Sequence, residues 1–153
     1  MGAIKDFLFG REIKIYDQKL GELSTKVRTR NPLRIHDWSG EHKLKGQAKP
    51  TFFILEGNID GPDKSQKNCV YKIIDSLDEI MNQIDKFIKT QSNIAPIYEH
   101  DWMKKFYLAS VTIALYESRA IQFEIWLEPI DDKSPNDIRL IWDNGKLTEI
   151  EVK

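Results

Sequence analysis

The chain has 153 residues, 41% hydrophobic and 31% charged, with a formal net charge of −1. That length can bury a core without disulfide or metal staples, and 10% aromatic content is too rich for a disordered chain. Its single cysteine, Cys69, excludes an internal disulfide and fits a reducing compartment.

At the N-terminus the apolar cluster Phe7, Leu8 and Phe9 is shorter than a signal peptide requires, and Asp6 stands where a myristoylation motif wants Ser or Thr. No apolar run approaches the roughly 20 residues that span a bilayer. These features predict a cytoplasmic protein with no membrane partner. Residues 3–9 are expected to form a short helix ended by Gly10. Ile13 and Ile15, then Leu23, Thr25 and Val27, alternate at period two around an Asp17–Gly21 turn, which predicts a hairpin. After the Asn31-Pro32 break, Leu33 and Ile35 are expected to restart a strand. A polar stretch then leads to the compact Thr51–Glu56 strand.

Pro62 suits a first helical turn, and Val70, Ile73, Ile74, Leu77, Ile80, Met81, Ile84, Phe87 and Ile88 follow three-and-four spacing. Asp75, Asp78, Asp85, Lys72, Lys86 and Lys89 fall mainly between them. The pattern predicts one long helix over about 62–90 with a single buried stripe, lying across a sheet, and Cys69 packs within it. Tyr107, Ala109, Val111, Ile113 and Leu115 mark a long strand. Ile121, Phe123, Ile125 and Leu127, against Gln122, Glu124, Trp126 and Glu128, mark a half-buried one. Ile138, Leu140 and Trp142 lead into Asn144-Gly145, the pair that best accepts the positive φ angles of a type I′ turn, and Leu147–Val152 returns as the last strand. The expected fold is a single α+β domain over 1–153: a mainly antiparallel sheet of about 7–8 strands with one long helix across it, in the order strands, helix, strands.

The chemistry-bearing residues are sparse. His36-Asp37-Trp38 recurs as His100-Asp101-Trp102, but neighbours on a strand point to opposite faces and cannot easily share a substrate. Cys69, His36, His42 and His100 are too scattered for a structural zinc, no serine lies in a Gly-x-Ser-x-Gly elbow, and no Gly-rich loop precedes a helix. Glu124 and Glu128 would stand about 13 Å apart along a strand at ~3.3 Å per residue, too far for a glycosidase pair. No catalytic residue, cofactor or metal is therefore assigned.

Charge is divided unevenly: residues 1–50 hold 11 Lys and Arg against 6 acids, and 51–153 hold 12 against 18. Lys26, Arg28, Arg30 and Arg34 could face phosphates, which makes a nucleic-acid-binding module the alternative reading. An enzyme using His36 or His100 ranks behind it. The sharper signal is Trp126 between Glu124 and Glu128, with Asp131, Asp132 and Asp143 beyond. Trp126 either packs beneath the N-terminal segment or stands exposed, and an exposed aromatic anchor with an acidic rim suits a basic protein partner, whose encounter the charge would steer.

The Gly2–Gly10 segment, the early hairpin, the Gly61-Pro62 helix start and the closing Trp142-Asp143-Asn144-Gly145-Lys146 hairpin together resemble small bacterial α+β proteins, some of which are immunity partners of polymorphic or contact-dependent toxins. The resemblance implies a protein–protein interaction module that inhibits a cognate toxin. It assigns no residue.

Overall fold

The computed structural model describes residues 10–28, 31, 33–91, 102–115, 121–131 and 137–153. The short helix expected at 3–9 lies outside them. The elements in chain order are β1 (Arg11–Asp17), β2 (Gly21–Val27), β3 (His36–His42), β4 (Thr51–Asn58), β5 (Gly61–Pro62), α1 (Lys64–Asp75), α2 (Leu77–Thr90), a 3-10 turn (Trp102–Lys104), β6 (Phe106–Leu115), β7 (Ile121–Pro129), β8 (Ile138–Asp143) and β9 (Lys146–Val152). The strands form one sheet in the order β1-β2-β3-β4-β6-β7-β8-β9, with β5 attached to β4.

Neighbouring strands pair antiparallel except β4 and β6, which run parallel through Phe52↔Ser110, Phe53↔Val111 and Ile54↔Thr112. A parallel pair needs a long crossover, and α1 and α2 supply it. This central pairing is short and is stitched by side chains. Gln47 Oε1 accepts from the Leu108 N–H at 2.7 Å, and the Thr51 hydroxyl donates to the Leu108 carbonyl at 2.8 Å. The β6–β7 register shifts between Leu108 and Ser110, so Leu108 enters the core and Tyr107 stands opposite Glu128, which departs from the unbroken alternation expected for this strand.

The expected single helix is two. The break falls at Ser76, whose hydroxyl donates to the Lys72 carbonyl at 2.6 Å while its backbone N–H donates to the same oxygen at 2.9 Å. Such back-bonding bends helices. The apolar stripe runs on through the break: Val70 and Ile73, then Ile80, Ile84 and Ile88, are buried, with Leu77 packed beside them. Nor does the helix begin at Pro62, which lies in β5 and pairs back on Gly57 of β4. Asp63 is the N-cap instead, its side chain accepting from the N–H of Ser65 at 2.8 Å and of Gln66 at 3.1 Å.

Leu33 and Ile35 also depart from expectation. They are 87% and 67% exposed, and Leu33 lies in a turn whose Asn31 accepts from the Arg34 and Leu33 N–H groups, so β3 begins only at His36. The β1–β2 and β8–β9 hairpins stand where the alternation placed them, and Asn144 and Gly145 take φ of 51° and 75°.

The helices cover one sheet face. Trp38, Phe53, Leu55, Val111, Ile125, Leu127, Leu140 and Trp142 point into that layer and are essentially sealed from solvent, and Phe123 stacks on Trp142 with ring centroids 5.0 Å apart. Each such side chain stabilises the fold by about 1.5–3 kcal/mol. The β1–β2 turn is clamped onto α1 by Asp17. Its carboxylate accepts from the Tyr71 hydroxyl, from Lys67 Nζ at 3.2 Å and from the Lys19 and Leu20 N–H groups, while Lys19 pairs with Asp75 at 2.6 Å.

Candidate functional site

The strand period of two sends alternate residues to the other sheet face, over which the described residues place no helix. Following the register across the sheet puts Phe52, Ile54, Trp126 and Ile141 on this face. Phe52 is 41% exposed and the other three are half-buried. Around them the register places Glu12, Glu22, Asp37, Glu41, Glu56, Glu124, Glu128, Asp143, Glu149 and Glu151, against the bases Lys14, Lys26, Arg139 and Lys146, and Lys153 lies on the same face just past β9. Ten acids against five bases make the open face anionic, although the whole chain carries only −1. Four of these acids come from the first 50 residues, the half that is basic by count. Polarity in this molecule follows the faces of the sheet, not the halves of the sequence.

Trp126 sits within a charged lattice. It stands opposite Ser110 on β6 and Arg139 on β8, and its indole N–H donates to Glu124. Arg139 bridges two acids, donating to Glu124 Oε2 at 2.6 Å and Glu151 Oε2 at 3.2 Å. Burial works to raise the Glu124 pKa, but hydrogen bonds from Arg139 and Trp126 outweigh it and hold the carboxyl below its ordinary value. The Arg139 hydrogen bond likewise lowers Glu151. Glu124 is thus a neutralised support for the indole.

Glu128 accepts from the Tyr107 hydroxyl at 2.7 Å. Asp137, which sequence reasoning did not single out, has its carboxyl pKa raised by burial and then by the Glu128 charge. Asp143 shares the face at the end of β8, opposite Gln122 and Lys146, and its Oδ1 is buried without a hydrogen-bond partner. Asp131 is exposed just past β7, while Asp132 lies outside the described residues. The structure therefore brings Glu124, Trp126, Glu128 and Asp143 onto one face and leaves Asp131 at its margin.

The other candidates disperse. β2 ends at Val27, so Arg28 lies beyond it and does not share a strand face with Lys26, which stands opposite Glu12 among the acids. Arg34 is exposed, and Arg30 lies outside the described residues. His36 is buried on the helix-covered face while Asp37 is exposed on the other, so the two share no site. His100 and Asp101 lie outside the described residues, and Trp102 is buried with its indole N–H donating to Asp85 at 3.0 Å.

A groove of about 760 Å3 lies between the α1–α2 junction and the β8–β9 turn, lined in part by Cys69, Lys72, Ser76, Gln83, Trp142 and Asn144. Burial pushes the Cys69 thiol up, against the pull of Lys72, which disfavours a thiolate nucleophile. Among the described residues no group of three or more His, Cys, Asp and Glu is placed to hold a metal ion, and no helix is long and apolar enough to cross a membrane.

No family model matches this chain, and no curated protein or solved structure matches it significantly.

Proposed function

We propose that this protein is an interaction module of the immunity type, which binds and occludes a basic toxin domain through the open face of its sheet. The observation that carries the reading is the anionic face itself: an aromatic anchor, Trp126, with Phe52, Ile54 and Ile141 across the sheet and an excess of acids around them. Tryptophan is among the residues that most often dominate binding energy at the centre of an interface, and a charged rim accelerates and orients encounter. Complementarity then asks for a partner that is basic around an apolar centre. Inhibition needs no catalytic group on this chain, because a domain seated over a toxin's working surface blocks it by occupancy.

The test is coexpression with the product of the neighbouring gene. The wild-type protein is expected to protect growth and to co-purify in stoichiometric complex, and the Trp126→Ala, Glu128→Lys double variant to lose both while remaining folded by circular dichroism. No complex and no protection by the wild-type protein overturns the reading.

A further inference from the structure

Lys153 occupies an instructive place on the open face. Its ammonium lies 5.0 Å from the centroid of the Trp126 ring and 3.6 Å from Glu151 Oε2. Its backbone is pinned by reciprocal N–H to carbonyl hydrogen bonds with Asp137, 2.9 Å each way, while its side chain is 53% exposed. A movable cation is thus held on a fixed stem over an aromatic ring. We propose that the Trp126 ring, with Glu151 beside it and Glu128 and Asp137 at its flank, is a receptor for one lysine or arginine side chain of the basic partner, and that Lys153 fills this receptor in the free protein.

The inference rests on the basic-partner reading above and adds to it the chemistry of the anchor contact. A cation over an indole face is attracted by the ring quadrupole, and an exposed contact of this kind is easily exchanged for another. Burial, and then the charge of Glu128, keep Asp137 above its ordinary pKa, and the two neighbouring carboxylates leave negative potential that a second cation would relieve. Arg139 is already engaged by Glu124 and Glu151, and Glu124 holds the indole N–H in place.

The experiment is an NMR titration of the 15N-labelled full chain with a hexalysine peptide, following the indole N–H signal of Trp126, which Trp126→Leu assigns by its disappearance. Peptide binding by the wild type, Trp126→Leu, Lys153→Met and Lys146→Met is compared by calorimetry. Saturable binding that moves the Trp126 signal is expected. Lys153→Met should tighten it about two- to fivefold, the fold-change of a cation–π contact of about 0.5–1 kcal/mol, and Trp126→Leu should weaken it by a similar factor. Lys146→Met removes the same charge from the same face and should change affinity by much less. Equal tightening by the two lysine variants, or no weakening in Trp126→Leu, overturns the receptor. If hexalysine behaves as described and the neighbouring gene product does not bind, the receptor stands and the inhibitor reading falls. If Trp126→Leu weakens binding of that product while Lys153→Met leaves it unchanged, the inhibitor reading stands and the receptor occupied by Lys153 falls.

Discussion

The two faces of the sheet are built from the same strands and carry opposite chemistry. On β7, Ile125 and Leu127 are sealed beneath the helices while Glu124, Trp126 and Glu128, each one residue away, form a charged outer lattice. On β3, buried His36 and Trp38 alternate with exposed Asp37 in the same manner. The comparison teaches that the buried core and the proposed recognition surface are separated here by a single residue step. Substitutions should therefore divide cleanly, with covered-face variants losing the fold and open-face variants losing the partner.

The largest effect should come from the covered face. Phe53 is fully buried at the parallel β4–β6 junction, and Phe53→Ala should cost about 3–5 kcal/mol in urea denaturation. A loss below about 1 kcal/mol would mean that the helices do not seal this layer. On the open face, Trp126→Ala should weaken partner binding by about 2 kcal/mol or more while changing stability by less than about 1 kcal/mol, measured by calorimetry and denaturation on the same preparation. A variant that unfolds would break the division between the faces.

Acid should reveal the clamp that holds the β1–β2 turn on α1. Burial raises the Asp17 pKa, but hydrogen bonds from Tyr71, Lys19, Leu20 and Lys67 prevail and hold it below its ordinary value. A depressed folded-state pKa contributes stability that is present above the unfolded value of about 4 and is lost as pH falls through the folded one. Tyr71, pushed up to about 12 by burial and by Asp17, acts at the other end: its contribution is intact below about pH 10 and is lost as pH rises toward 12. Asp17→Asn should flatten the acid limb of the stability profile, and an unchanged limb would contradict the clamp. Smaller again, removing the α1 cap with Asp63→Ala should cost about 1 kcal/mol. Last and smallest, Glu22→Gln, which loosens the exposed Lys14–Glu22 pair, should lower stability only slightly in low salt and by nothing measurable in high salt, as denaturation at the two salt concentrations would show.

Much of this was legible in sequence, and the failures have physical causes. The β7 alternation and the Asn144-Gly145 turn were readable because period two and positive φ are local properties. The break at Ser76 was invisible because the apolar stripe passes through it in phase and only the hydroxyl bond to Lys72 marks it. Leu33 and Ile35 mimicked a strand because two alternating residues carry too little pattern to outweigh the Asn31 turn. The parallel β4–β6 pair depends on contacts more than 50 residues apart in sequence, such as Thr51 with Leu108, and the bulge near Ala109 on how β6 registers against β7, neither of which a local window contains. The acidic face was half seen. Counting charge by sequence halves set Glu12, Glu22, Asp37 and Glu41 among bases, whereas reading every second residue would have grouped them with Glu124, Glu128 and Glu149. Asp137 was missed because its proximity to Glu128 arises only after β8 pairs with β7.

The central claim, that the open face is the partner-binding surface, is tested most directly by carbodiimide footprinting of carboxylates, read by mass spectrometry with and without the neighbouring gene product. Protection of Glu128, Asp143 and Glu149 on the open face, with Asp78 and Glu79 at the start of α2 labelled equally in both states, is the expected result. Protection of Asp78 and Glu79 with the open-face acids unchanged would contradict the account and move the interface to the helices.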